Sequence, residues 1–255
     1  MPAHILVGTS GWSYRHWRGV FYPADLPARQ WLTYYSARFA TVELNSTFYR
    51  TPRASSLRAW REQAPPGFVF ALKANRFITH SKRLRDADET VARELEIVRP
   101  LGAARGPILF QLPPAMTRDL GRLAGLLEAL PGDGAFAVEF RDGSWDDREV
   151  YAMLARRQVG VCLHDWHGHA WPRRAADEGA GPVYLRFHGP TGRYGGSYDR
   201  RTLRAWATRC ERWREAGRDV FCYFNNDAEG NAVRDALALR RLLGERLSDE
   251  TGLAA

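Results

Sequence analysis

Eight short runs of apolar, β-branched and aromatic residues recur along the chain, and this recurrence constrains the fold more than any other feature. The runs are Ile5–Gly11, Thr41–Asn45, Val69–Ala74, Pro107–Leu112, Phe136–Arg141, Gly160–Asp165, Val183–His188 and Val220–Asn225. Their starts lie roughly 23 to 38 residues apart, the length of one strand, one loop and one helix. Eight parallel strands joined by helices can close into a (β/α)8 TIM barrel, and closure removes both sheet edges. An open doubly wound sheet is the alternative, but eight evenly sized units with nothing left over favour the barrel. The length of 255 residues suits one complete barrel. A single domain over residues 1–255 is expected, with strand–helix units at about 5–247 and a frayed C-terminal tail.

The intervening segments carry helix signals. Thr51-Pro52 reads as an N-cap followed by proline in the first turn. Ser144-Trp145-Asp146-Asp147 resembles a capping box with Asp in place of Glu. Leu203, Trp206, Ala207, Cys210 and Trp213 form one apolar stripe at helical spacing, which is core rather than a cofactor site. Trp171 to Pro182 shows no strong helical period, so that unit's helix is expected to be short or missing.

Hydrophobic residues make up 45% of the chain and charged residues 26%, enough for a sizeable core. Lys and Arg number 37 against 29 Asp and Glu, a net charge of +8. A basic surplus leans toward acidic partners such as nucleic acid, phosphorylated metabolites or sugar acids. Nearly all of the positive charge is arginine, which a GC-rich genome alone can produce. Cys162, Cys210 and Cys222 lack CxxC spacing, and two of them sit in apolar runs, so they read as reduced and structural. With no charged leader and no long apolar stretch, the expectation is a cytoplasmic protein without a membrane partner. The oligomeric state is not legible.

Strand side chains alternate between two faces, one of which fills the barrel interior. The interior sets are Thr41, Glu43 and Asn45; Ala71 and Lys73; Leu109 and Gln111; Ala137, Glu139 and Arg141; Cys162 and His164; Tyr184, Arg186 and His188; and Phe221, Tyr223 and Asn225. Seven consecutive strands thus end in a polar or charged residue at matching depth, on the face where barrel enzymes place their chemistry. Burying so many polar groups without a use is costly. The bland alternative is an ion-pair lattice that merely plugs the barrel. Three cations, Lys73, Arg141 and Arg186, face two carboxylates, Glu43 and Glu139. That balance is poor for a divalent metal and suits an anion gripped by Arg and Lys, with one carboxylate free for proton transfer. No metal and no cofactor is expected.

Three loops stand over this mouth. Trp12 to Tyr22 interleaves aromatics with Arg15, His16 and Arg18, a surface that either stacks on bases or sugars or packs onto the rim. Asn75 to Arg85 brings Arg76, His80, Lys82, Arg83 and Arg85, a phosphate-facing rim or a solvated basic loop. Gly189 to Gly196 is glycine-rich and reads as a lid without the P-loop pattern. The tract His164-Asp165-Trp166-His167-Gly168-His169 is rich in histidine, but its spacing matches no standard metal motif.

Several stretches together resemble the YecE-like proteins, Domain of Unknown Function 72, over about residues 5 to 245. They are Gly8-Thr-Ser-Gly-Trp-Ser-Tyr14 with Trp17 and Phe21-Tyr-Pro23, Glu43-Leu-Asn-Ser-Thr-Phe-Tyr49 with Pro52, and Lys73 with Thr79-His80. Phe110-Gln-Leu-Pro-Pro114, Glu139-Phe-Arg141 with Ser144-Trp145, Arg186-Phe-His-Gly189 and Tyr223-Phe-Asn-Asn-Asp227 continue the match. The resemblance implies a TIM barrel and carries no established activity. It also implies that Glu43, Asn45, Lys73, Glu139, Arg141, Arg186, His188 and Asn225 are signature residues. Asp235 departs from the pattern, where Asn is expected, on a face not expected to touch the site. The family's likeness to metal-dependent barrel isomerases and abasic-site nucleases reaches only the fold, because the acidic and histidine cluster those enzymes need is missing.

The expected function is therefore metal-independent acid–base chemistry on a small anionic or phosphorylated, sugar-like ligand. Glu139 is expected as base, His188 as its acid partner and Lys73 as stabiliser of developing negative charge. Arg141, Arg186, Glu43, Asn45, Gln111, His164, Tyr223, Asn225, Asp227, Trp12 and Tyr14 make up the expected ligand-binding set. Nucleic acid held on the basic aromatic rim is one alternative, and a non-catalytic sensor or scaffold is another.

Overall fold

A computed structural model describes residues 3–166, 179–192 and 194–252. The eight expected strands are all present: β1 (Ile5–Thr9), β2 (Thr41–Leu44), β3 (Val69–Lys73), β4 (Arg105–Gln111), β5 (Phe136–Glu139), β6 (Gly160–His164), β7 (Val183–Phe187) and β8 (Val220–Phe224). They form one parallel sheet in the order β1-β8-β7-β6-β5-β4-β3-β2. Between β1 and β2 the ring closes through a single bridge, Ser10 to Glu43. Most strands stop one or two residues earlier than the apolar runs, so Asn45, Arg141, His188 and Asn225 sit just beyond the ladder, where the loops diverge.

The β1–β2 seam is stapled by hydroxyls rather than by a ladder. Tyr35 Oη donates to Thr41 O (3.1 Å) and accepts from Thr9 N (2.9 Å), while Thr41 Oγ1 and Tyr223 Oη are 2.8 Å apart. Gly8 makes this approach feasible, since a Cβ there would lie 2.2 Å from the Thr41 carbonyl oxygen.

Strand alternation gives two cores. One fills the barrel: Ala71, Leu109, Ala137, Cys162, Tyr184, Phe221 and Tyr223, all from the interior sets read in the sequence. The other lies between sheet and helices. There α1 (Trp31–Ser36), α2 (Ala54–Gln63), α3 (Ala87–Val98), α4 (Leu120–Ala129), α5 (Arg148–Arg156), α6 (Arg200–Glu215) and α7 (Asn231–Gly252) pack around the sheet. Helix α6 buries the expected stripe Leu203, Trp206, Ala207, Cys210 and Trp213. Fully burying a side chain such as Leu203 contributes about 1.5–3 kcal/mol, and a single methyl such as that of Ala207 less. Asp199 starts that helix by accepting from Thr202 N (2.7 Å).

Two capping expectations fail. Thr51 is not a cap: Arg53 occupies the N-cap of α2 in an extended conformation without a side-chain bond. Asp147, not Ser144, caps α5 by accepting from Glu149 N (2.8 Å), because Gly143–Trp145 forms its own short turn held by Asp142. Among the described residues no helix is long and apolar enough to cross a membrane. His167, His169 and most of Trp171 to Pro182 lie outside the described residues.

Candidate functional site: a guanidinium–carboxylate lattice at the barrel mouth

Arg186, on β7, is the hub. Its Nε and Nη2 donate to Glu43 Oε2 (3.0 Å) and Oε1 (2.9 Å) across the barrel, and its Nη1 donates to Glu139 Oε2 (3.0 Å). Ser10 Oγ and Tyr184 Oη also donate to Glu43, the latter at 2.7 Å. Arg141 closes on Glu139 from the solvent side with a short ion pair. All four charged groups are buried. The lattice is neutral, two cations on two anions, and every carboxylate is matched by a guanidinium fork.

This pairing corrects the expectation of one carboxylate free for proton transfer. Burial alone raises both glutamate pKa values, but Arg186 overcomes it at Glu43 and holds the carboxyl below its usual range. At Glu139, Arg141 and Arg186 together drive the value well below that range. A carboxylate held so firmly ionised is a weak base, and both oxygens of Glu139 face guanidinium groups.

His188 sits beyond Arg186 on the same face. Its Nε2 lies 3.4 Å from Arg186 Nη1 and 3.5 Å from Arg141 Nη2. Its Nδ1 lies 3.4 Å from Asp165 Oδ1, and its backbone N–H donates to the same oxygen (2.7 Å). Burial lowers the imidazole pKa to about 4, the Asp165 contact opposing and Arg186 assisting. His188 is therefore neutral at neutral pH, with its Nε2 lone pair facing guanidinium N–H groups. A neutral imidazole is a poor general acid near neutral pH, so the expected role of acid partner would require His188 to take up a proton first.

Lys73 ends β3 with 6% of its surface exposed. Its Nζ lies 3.9 Å above the Phe48 ring, and it forms no ion pair among the described residues. Burial, helped by Arg186 and Arg141 and opposed by Glu139 and Glu43, lowers its pKa to about 7. Nearby His80 stacks edge-on against Phe48 (4.9 Å between centroids). Burial and then Lys73, Arg76, Arg141 and Arg83 push its pKa down to about 4. Four cations acting on one imidazole mark a positive field over the β3–β5 side of the mouth.

The loop that carries His80 is tightly wound. Phe77–Ser81 makes a single π-helical turn closed by Lys82 N to Phe77 O (2.8 Å), and Arg83, Leu84 and Asp86 follow with left-handed backbone (φ 50, 63 and 51°). Such turns and such backbone concentrate at functional sites.

The remaining expected residues divide by position. Trp12, Tyr14 and Asn45 line an open cleft of about 510 Å³ beside the mouth, bounded by α1 and α2. Asn45 Oδ1 is buried without a hydrogen-bond partner among the described residues. Tyr14 Oη donates to Ser10 O (2.5 Å), which connects the cleft to Glu43 through Ser10. Asp227 belongs to the rim, accepting from Trp17 Nε1 (2.6 Å) and pairing with His16 (3.0 Å). Gln111 donates to Leu112 O (3.0 Å), and the hydroxyls of Tyr223 and Thr41 pair within the barrel. Both nitrogens of His164 are engaged, Nε2 with Phe140 O (2.8 Å) and Nδ1 with Trp166 N (3.3 Å). Asn225 is buried at the end of β8. No cluster of three or more His, Cys, Asp or Glu able to hold a metal occurs among the described residues.

The Trp12–Tyr22 aromatics pack the loop down instead of displaying it. Trp17 and Tyr22 are buried, and Tyr22 stacks on Trp31 (4.9 Å). The aromatics exposed above the strand ends are others: Tyr49 (62%), Phe77 (47%) and Tyr194 (43%). Tyr194, from the glycine-rich loop, leans on Trp166 (5.0 Å) and His188 (5.8 Å), and Arg141 sits over the Trp166 ring (5.0 Å). Strand parity reaches Tyr184 and Arg186 but not Trp166, Tyr194, Phe48 or Ser10, which come from loops. Asp235 does not touch the lattice, as expected. It accepts from Tyr198 N (3.1 Å) and Asn226 Nδ2 (2.7 Å), and Tyr198 Oη in turn donates to Asp165 beside His188.

Fold and site together define a TIM barrel whose C-terminal mouth holds a buried, arginine-centred ion-pair lattice. The model of the family described as "Protein of unknown function DUF72" matches residues 6–254, so the chain belongs to that family. It is 32% identical over 138 residues to UPF0759 protein YecE of Escherichia coli (strain K12), a match covering 54% of this chain and about half (48%) of that protein. It is 27% identical to UPF0759 protein YunF of Bacillus subtilis (strain 168), over 94% of both chains. Among solved structures, a DUF72 family protein from Thermotoga maritima MSB8 superposes with a TM-score of 0.83 at 29% identity, over 94% of this chain and 99% of that one.

Proposed function

We propose that the chain is a metal-independent enzyme that takes a small anionic, sugar-like or phosphorylated substrate at the barrel mouth. One observation carries this reading: Lys73 is a buried cation without a counter-ion among the described residues, at the edge of a lattice that is otherwise charge-balanced. An uncompensated buried cation is costly unless an anion comes to meet it. The outer edge of Arg141 and the field felt by His80 place further positive potential on the same side. The charge balance opposes a divalent metal. Within this reading Lys73 is the group that titrates, His188 accepts a proton, and Glu43 and Glu139 keep Arg186 and Arg141 in place.

Sulfate titration calorimetry tests it, because sulfate keeps its charge across neutral pH. Binding should be tighter at pH 6 than at pH 8, since Lys73 carries its proton below about 7, and Lys73→Met should weaken it about tenfold or more at pH 6. Absence of binding at millimolar sulfate in the wild type refutes the reading. Exposed Tyr49, Phe77 and Tyr194 with Arg76 and Arg83 nearby favour a second reading, a single-stranded nucleic acid stacked on the rim. In the same assay an oligonucleotide would then bind, and its affinity would drop by roughly two orders of magnitude or more between 50 and 200 mM salt.

A further inference from the structure

Of the 37 lysines and arginines, only Lys73 and Lys82 are lysines. Lys82 is a surface residue paired with Asp86 (2.7 Å). Lys73 is thus the one buried lysine in a chain that meets nearly all of its need for positive charge with guanidinium. For holding an anion, arginine is the better choice, with a planar fork and a permanent charge. What a lysine offers and an arginine cannot is an amine that gives up its proton and attacks carbon.

The surroundings of Lys73 suit that use. The two interior carboxylates, Glu43 and Glu139, are occupied by Arg186 and Arg141, so neither forms an ion pair that would lock the amine as ammonium. The charged and titratable groups acting on Lys73 and its neighbour His80 are Arg186, Arg141, Glu139, Glu43, Arg76 and Arg83, in which cations outnumber anions. The Phe48 ring lies 3.9 Å from the amine on one side and offers it no hydrogen-bond acceptor oxygen or counter-charge. Desolvation beside other cations is the recognised way to turn a lysine into a nucleophile at neutral pH. With its pKa lowered to about 7, about half of the side chain is neutral at pH 7. For an ordinary lysine the neutral fraction is roughly a thousandfold smaller or less.

We propose that Lys73 forms an imine with the carbonyl carbon of an anionic aldehyde or ketone, the anionic group being held on the Arg141 side of the mouth. The Nζ lone pair adds to the carbonyl carbon. The oxygen takes up the two amine protons and leaves as water, and nitrogen remains doubly bonded to carbon. No oxidant or reductant is consumed. This inference rests on the anion reading above and adds to it the substrate's reacting group and the residue that attacks it.

Reductive trapping is the test. The protein is incubated with pyridoxal 5′-phosphate, an anionic aldehyde, or with pyridoxal, the same aldehyde without the phosphate, each with sodium cyanoborohydride. Intact mass and peptide mapping then locate the adduct among two lysines and the amino terminus. A single main adduct on Lys73 is expected, kept in Lys82→Arg, absent in Lys73→Met, at least about tenfold faster with the phosphate ester and slowed by sulfate. Labelling should accelerate from pH 6 to pH 8 as the amine deprotonates. Labelling confined to Lys82 and the terminus overturns the imine, and if sulfate still binds, the anion reading survives alone. Equal rates for the two aldehydes at Lys73 overturn the anionic substrate class while leaving the amine's reactivity in place. The wild-type and Lys82→Arg proteins decide the matter even if Lys73→Met fails to fold.

Discussion

Replacing Arg186 by methionine removes the hub of the lattice and has a calculable consequence. Arg186 supplies the guanidinium fork that neutralises Glu43, which otherwise receives only hydroxyl donors from Ser10 and Tyr184. Glu139 keeps Arg141. The variant therefore leaves one fully buried carboxylate without a cation, a change that costs about 3–5 kcal/mol. Against a total stability of about 5–15 kcal/mol, that is a large fraction. In a chain of this size it corresponds to a melting temperature lower by roughly 6–20 °C. The loss should depend on pH with a definite sign. In the wild type the glutamate pKa values are held below the usual range, so their contribution is present above about pH 4.3 and fades as pH falls through the folded values. In the variant, burial acts on Glu43 without Arg186, its pKa rises, and protonation relieves the penalty in acid. Urea unfolding followed by circular dichroism should show a larger deficit at pH 8 than at pH 5. Adding Glu43→Gln to Arg186→Met should restore part of the stability at pH 8, because charge and counter-charge are then removed together. A deficit under about 1 kcal/mol and equal at both pH values would mean that water reaches Glu43, and the description of a dry lattice would be wrong.

Two further outcomes are expected away from the lattice. Glu94 on α3 is buried beside a small cavity lined by Asn75, Phe77, Ile78 and Ile97, and burial pushes its pKa up to about 7, opposed by the Asn75 N–H. Its stabilising contribution is therefore full below about pH 4.3 and is lost as pH rises through about 7, so Glu94→Gln should match the wild type near about pH 4 and exceed it by about 1–3 kcal/mol at about pH 8 in urea titrations; equal stabilities at pH 8 would refute this. Gly8→Ala should lower the melting temperature by roughly 4 °C or more, since the new Cβ meets the Thr41 carbonyl at 2.2 Å and the seam must open by more than 1 Å; an unchanged melting temperature would show that β1 and β2 are not so closely apposed.

Much of this architecture was legible because it is periodic. The eight runs, their spacing and the alternation within them fix which side chains enter the barrel, and Ala71, Leu109, Ala137, Cys162, Tyr184, Phe221 and Tyr223 all do so. Residue identity along a strand says nothing about reach across the barrel, however. Arg186 spans from β7 to Glu43 on β2, so the expected free carboxylate was already engaged, and no local pattern could reveal that pairing. Loop residues were harder still. The pattern of Trp12 to Tyr22 left open whether its aromatics are displayed or packed onto the rim, because Trp17 is anchored by Asp227, more than two hundred residues away in sequence. Ser144 had the right neighbours for a cap and lost to Asp147, because Gly143–Trp145 closes a turn first.

The uneven joining of β1 bears on how the chain is assembled. Residues Ile5 to Thr9 hydrogen-bond along their whole length to Val220 to Phe224, whereas on the other side a single bridge meets β2. Strand β1 thus finds its ladder partner only after more than two hundred further residues have been made. Until then β1 lacks its ladder partner, and Leu6 has no closed barrel interior to pack against. Within the ring synthesis runs from β1 to β8, but closure waits for β8, so β1 is made before the other seven strands and is among the last secured.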